Sequence, residues 1–217
     1  MKSVSLLLSS ALALCLLPSC STPGLAPVET VNFDAAAPGA LPDGWLAGVT
    51  GAGTAQWAVT ADPSAPSPPN VLKQSAAVPS RSYPWCVKTN VALKDGFVEV
   101  KFKPLAGRED QAGGVVWRWQ DGGDYYVARG NALEDNVILF RTVKGVRKQL
   151  RRVPVKVSPN QWHTLRVDFK AAHVAVLFDG QKEIEWDDQT FNEAGAVGVW
   201  TKADSVTAFD DFRFSGR

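Results

Sequence analysis

The chain has 217 residues, with 23 Lys and Arg against 22 Asp and Glu, for a formal net charge of +1. So even a balance excludes the broad basic field that binds nucleic acid, and no nucleic-acid partner is expected. Three cysteines make no disulfide framework once the N-terminal pair is accounted for, so stability has to come from a buried core, for which this length suffices in one domain.

The N-terminus, Met1-Lys2-Ser3-Val4 followed by an apolar run from Leu6 to Leu17, has the order of an export signal peptide. The run is too short for the ~20 apolar residues of a membrane-spanning helix. It ends in Leu17-Pro18-Ser19-Cys20, which resembles a lipobox, and that resemblance implies cleavage before Cys20, lipidation of Cys20 and a membrane anchor. An ordinary signal peptide cut nearby, with Cys20 incidental, is the alternative. Ser21 after the cysteine is similar to Gram-negative lipoproteins sent to the outer membrane, so an outer-membrane or periplasmic lipoprotein of the cell envelope is expected. The organisation is then a signal segment over 1–20, a stalk over 21–28 and one domain over 29–217. Cys86 is left as the only unmodified thiol.

Beyond the stalk, short apolar runs alternate with polar residues. Strands are expected at Thr30–Asp34, Gln56–Val59 and Val71–Lys73, with a Pro- and Ser-rich loop over Ala61–Asn70. In Phe97–Phe102, Val98, Val100 and Phe102 share one face and Glu99 and Lys101 the other, which is the period of a half-buried strand. Asp121-Gly122-Gly123-Asp124 joins strands at Gly114–Trp119 and Tyr125–Gly130, and Lys144-Gly145 joins Val137–Val143 to Arg147–Val153. Leu165, Val167 and Phe169 alternate, as do Val174, Val176 and Phe178, and Asp179-Gly180 then predicts a type I′ hairpin into Glu183–Trp186. Gly195–Thr201 and Val206–Phe214 complete the set, with a bulge expected at Asp210-Asp211 because Phe209 breaks parity with Phe212 and Phe214. More than ten short strands without helices between them predict an all-β fold, a two-sheet antiparallel β-sandwich of jelly-roll type. The basic cluster Lys144, Arg147, Lys148, Arg151 and Arg152 is expected to be a solvated hairpin.

Three segments carry a resemblance: Gly114–Asp121, Tyr125–Asn136, and Val197–Ser205 with Phe209–Phe212. Together they are similar to concanavalin A-like, laminin-G-like sandwiches of the lectin/glucanase type, and among these to bacterial domains named after 3-keto-disaccharide hydrolases. The resemblance spans about Thr30 to Phe214 and implies a carbohydrate partner. It leaves open whether the sugar is bound or cleaved, because this fold hosts both activities.

Candidate residues follow from chemistry. Arg129, Asn131, Glu134 and Asn136 cluster around one loop and supply forked donors and acceptors for hydroxyls, with Arg118 nearby. Trp117 and Tyr126 are candidates to stack on a pyranose, and Trp200, Lys202 and Asp204 alternate along a later strand toward the same surface. The alternative is an Arg129–Glu134 structural ion pair with the aromatics in the core. If a 3-keto-glycoside is cleaved, Glu134 is the expected base and Arg129 or Lys202 the oxyanion stabiliser. The acidic run Glu183–Asp188 is expected to be solvated, and His163 to be structural. No cofactor is required, although Asp34, Asp210 and Asp211 have the oxygen chemistry for a structural Ca²⁺ where the first and last strands meet. A glycan-binding lipoprotein, a glycoside-cleaving enzyme, and an adhesion domain without a small ligand are the three functions in play.

Overall fold

The structure is a computed structural model and describes residues 26–217. The signal segment and Cys20 lie outside these residues. In chain order the first strands are β1 (Glu29–Val31), β2 (Trp45–Thr50), β3 (Trp57–Ala61), β4 (Asn70–Gln74) and β5 (Tyr83–Leu93). The middle of the chain gives β6 (Gly96–Ala106), β7 (Ala112–Asp121), β8 (Asp124–Asn131), β9 (Asn136–Val143) and β10 (Val146–Pro154). The last are β11 (His163–Lys170), β12 (His173–Phe178), β13 (Gln181–Asp187), β14 (Gly195–Trp200) and β15 (Val206–Gly216).

They form two antiparallel sheets. The first runs β13-β12-β11-β6-β15-β4-β3, with β1 added beside β15, and the second runs β10-β9-β8-β7-β14-β5-β2. The fold is the expected jelly-roll sandwich. Val98, Val100, Phe102, Leu165, Val167 and Phe169 face across the interior to Val115, Trp117, Tyr126, Ala128, Val137 and Leu139. Each fully buried large side chain contributes up to about 3 kcal/mol. Gly113 is required here, because a Cβ at that position would lie 2.3 Å from the Phe102 ring.

The predicted turns form as their residues dictate. Asp179 and Gly180 adopt φ of 48° and 81°, and Lys144 and Gly145 adopt 50° and 79°, the paired left-handed conformations of type I′ turns. β15 shifts register between Asp210 and Arg213, with Asp211 at φ 47°, and Val31 pairs with Phe212. The bulge and the meeting of first and last strands are therefore both present. Sequence periodicity missed β2 and β5. In β5 Tyr83 to Val87 are all buried, so no alternation marks that stretch as a strand.

The second sheet departs from a flat sandwich layer. Its outward face carries a second apolar cluster, Tyr83, Trp85, Val116, Tyr125, Val127, Ile138, Phe140 and Trp200 among others. The sheet curls around it. Gly145, at the tip of the β9–β10 hairpin, donates its N–H to the Gly123 carbonyl (3.0 Å), and Thr50 of β2 reaches the Tyr125 hydroxyl at 2.8 Å. Edge strand and opposite edge are thus drawn together over a concave face that is itself packed.

Candidate functional site

The polar residues of the concave face gather at its open end. Arg129 of β8 is 3 % exposed, and its Nη2 pairs with Glu134 Oε2 at 2.7 Å while Nη1 donates to Asn136 Oδ1. Asn136 Nδ2 returns a bond to Glu134 at 3.0 Å, which fixes all three side chains. Alongside, Asn131 donates to Asp110 Oδ1 at 2.7 Å and Lys202 forms an ion pair with the other Asp110 oxygen. The four residues singled out from the loop around Arg129, and Lys202, lie close together, and the Arg129–Glu134 ion pair that the sequence offered as the structural alternative is formed. Asp110, which completes them, was not foreseen.

The electrostatics are set by burial. Asp110 is fully buried, and loss of water raises its pKa above the ordinary carboxylate value even though Lys202 pulls it down. Burial pushes Glu134 upward too, but Asn136 and Arg129 outweigh it and hold its carboxyl below the usual range. Glu134 Oε2 is thus engaged twice, and the carboxyl is held ionised rather than poised near neutrality. One loose end remains in the cluster: Arg129 Nε is buried without a hydrogen-bond partner.

Beside this cluster lies a surface cavity of about 630 Å³, bordered by Arg81, Tyr83, Glu109, Val146, Arg147 and Lys202. Arg147 is the residue that departs most from expectation. Lys144, Lys148, Arg151 and Arg152 are exposed on the hairpin as anticipated, but Arg147 is turned inward. It pairs in register with Thr142, two residues from Phe140, and so shares the concave face. Its guanidinium lies 4.2 Å from the Phe140 ring centre, 4.3 Å from Tyr83 and 5.6 Å from Trp200.

Several expected ligand residues have other work. Trp117 and Tyr126 are fully buried between the sheets, stacked on each other at 5.3 Å, and present no ring to a sugar. Alternation places Trp117 and Trp119 on one face of β7, but the Arg118–Trp119 irregularity, with Arg118 at φ 46°, separates them, and Trp119 packs on the concave cluster instead. The Tyr126 hydroxyl donates to Asp188 and accepts the Phe191 N–H, and burial together with Asp188 raises its pKa to about 12. Arg118 is 1 % exposed and donates to the carbonyls of Lys94, Phe191 and Ala171 at 2.6–3.0 Å, as an internal brace. Trp200 is on the concave face but fully buried beneath Tyr83, with ring centres 5.7 Å apart. Asp204 accepts the N–H groups of Arg108, Glu109 and Asp110. It holds the loop that carries Asp110 and does not face the cavity.

The acidic run on β13 is largely exposed, as expected, except that Asp188 is buried against Arg141 at 2.7 Å. His163 is 7 % exposed and bonded to Asp179 at 2.8 Å and to the Ser158 carbonyl at 3.0 Å, a satisfied structural histidine.

Asp34, Asp210 and Asp211 do approach one another, and burial with the charges of Asp211 and Asp34 raises Asp210 to about 6. Their oxygens are spent on protein donors: Asn70 N–H on Asp34, Ser67 N–H on Asp210, and the Ser67 hydroxyl and Lys101 on Asp211. Among the described residues no group of three or more His, Cys, Asp or Glu side chains is placed to hold a metal ion. The donor set does not fit the Ca²⁺ the sequence left open.

No protein-family model matches the chain, and no curated protein sequence matches it. Solved structures do. A carbohydrate binding module, CBM66 from Bacillus subtilis, superposes with a TM-score of 0.63 at 16% identity, covering 78% of this chain and 94% of that one. The beta-glucanase of Bacillus licheniformis gives 0.58 at 15% identity over 90% and 100%, and the apo Crh5 transglycosylase 0.57 at 15% over 89% and 86%. At such identities the likeness establishes the fold alone: the chain is a jelly-roll β-sandwich of the kind those structures share.

Proposed function

We propose that the chain is an exported, membrane-anchored carbohydrate-binding domain whose glycan enters the cavity beside Arg147 and Lys202. The observation that carries this reading is the cavity itself, where Arg81, Arg147, Lys202 and Glu109 gather beside the Tyr83 ring at the end of a concave sheet that the internal bonds of Arg129, Glu134, Asn136, Asn131 and Asp110 hold rigid. Such pre-fixed donors and acceptors suit hydroxyl recognition, because little ordering remains to be done on binding. The similar solved structures named for carbohydrate binding and glucan chemistry support it.

Export and anchoring rest on the signal-like N-terminus and Cys20. Metabolic labelling with palmitate in the native envelope should mark the wild type and not Cys20→Ser. An unlabelled wild type rules out the anchor.

Cleavage of a 3-keto-glycoside, by a hydrolase or lyase, is the weaker reading. A general base needs a free lone pair within reach of the substrate proton. Glu134 keeps Oε1 free, but Arg129 and Asn136 on Oε2 hold its carboxyl below the usual range and weaken it as a base, and Asp110 is taken by Asn131 and Lys202. A purely adhesive domain is weaker still, since Arg147 borders the cavity with a buried Nη1 that no group of the protein pairs.

Isothermal calorimetry of the folded chain against a broad panel of neutral and acidic oligosaccharides tests the proposal. Binding of at least one class with a micromolar to millimolar Kd is expected. A folded protein that gives no heat with any of them sinks it.

A further inference from the structure

The charges around the cavity do not cancel locally. Two carboxylates behind the cavity are committed, Glu134 to Arg129 and Asp110 to Lys202. Arg147 has neither: it forms no ion pair among the described residues, and its buried Nη1 has no hydrogen-bond partner. Its guanidinium is instead held flat against aromatic rings at 4.2 and 4.3 Å. Desolvation lowers its pKa even though the charges of Asp110 and Glu134 pull it up, so no carboxylate close enough to pair offsets its burial.

An arginine in this state is costly unless something completes it. Cation–π contact recovers part of that cost, but it leaves the in-plane N–H donors unused. Those in-plane donors are what a bidentate carboxylate or a sulfate takes. The surroundings favour the same occupant. Arg81 and Lys202 border the cavity with Arg147, against the single acid Glu109. The I′ turn at Lys144-Gly145 and the pairing of Arg147 with Thr142 fix the side chain's origin, so it need not be ordered on binding.

We infer that the cavity takes an anionic saccharide, and that Arg147 receives its negatively charged substituent, a uronate carboxylate or a sulfate ester. This rests on the glycan-binding reading and specifies its substrate class. Tyr83 and Val146 supply the apolar wall for the sugar ring, and Arg147 supplies the charge. The hydroxyls fall to the neighbouring cluster around Lys202.

The test needs no variant to begin with. Calorimetry on the full chain compares oligogalacturonate with its methyl ester, and separately glucose 6-sulfate with glucose, at low and at high salt. A charge-assisted hydrogen-bond pair predicts binding of the charged member at least about tenfold tighter than its neutral partner, with the preference shrinking in salt. Arg147→Met keeps the apolar stem over the aromatics and should erase the charged-over-neutral preference, while its urea midpoint reports that the fold persists. The two arms separate the sources: preference confined to the galacturonate pair assigns a planar carboxylate, and preference confined to the sulfate pair assigns a sulfate ester. Equal binding of charged and neutral members overturns the inference and leaves glycan binding standing. A preference that survives in folded Arg147→Met overturns it as well, and absence of binding to every sugar overturns both.

Discussion

Arg129→Met is expected to abolish measurable glycan binding and to lower stability by about 2 kcal/mol, below the range for a fully buried ion pair because Glu134 reaches water. The methionine retains the volume of the arginine stem, so packing over Phe140 is largely kept, and the loss is electrostatic. Glu134 would lose the partner at 2.7 Å that fixes it, and Asn136 would lose the donor to its side-chain oxygen. With both side chains free to turn, the pre-formed rim is gone. Calorimetry beside a urea titration checks the two effects separately. Wild-type affinity in the variant would show that the cluster is structural only.

Trp117→Ala is expected to cost about 4 kcal/mol, in the range for deleting a fully buried tryptophan. The ring lies between Tyr126 at 5.3 Å and Phe169 at 6.1 Å, with no surface in contact with water. The cavity it would leave spans the interface of the two sheets, where backbone on both sides resists collapse. Chemical denaturation is the measurement, with an unchanged m-value as the sign that the cost falls on the folded state. A stable Trp117→Ala protein that no longer binds sugar would restore this residue to the role its sequence context suggested.

The two substitutions mark how far the sequence could be read. Strands such as β6 and β11 were legible because one face meets the core and the other meets water, which writes a period of two into the residues. The curled sheet breaks that rule. Its strands touch apolar clusters on both sides, so β5 shows an unbroken buried run and escapes notice. The same ambiguity misassigned Trp117. Alternation says that a tryptophan on β7 points one way or the other, but with both faces apolar it does not say which way leads to the inter-sheet core. Arg129, Asn131, Glu134 and Asn136 were legible because they lie close together along one hairpin. Asp110 joins them through the pairing of β7 with β8, where Ala112 faces Asn131, and Arg147 through the curl of the sheet, both beyond the reach of local patterning. The register of Arg147 was within reach, since the two-residue turn at Lys144-Gly145 fixes its partner as Thr142.

The curl also ties recognition to the integrity of the whole molecule. The cavity wall is assembled from Tyr83, Glu109, Arg147 and Lys202, which lie on segments far apart in the chain, and no one hairpin contains enough of it to hold a sugar. A partly unfolded chain is therefore blind. By mass action, whatever occupies the cavity pulls the entire sandwich toward its closed form. With no disulfide among the described residues to hold the domain shut, copies that carry a ligand would outlast empty ones wherever proteases meet them.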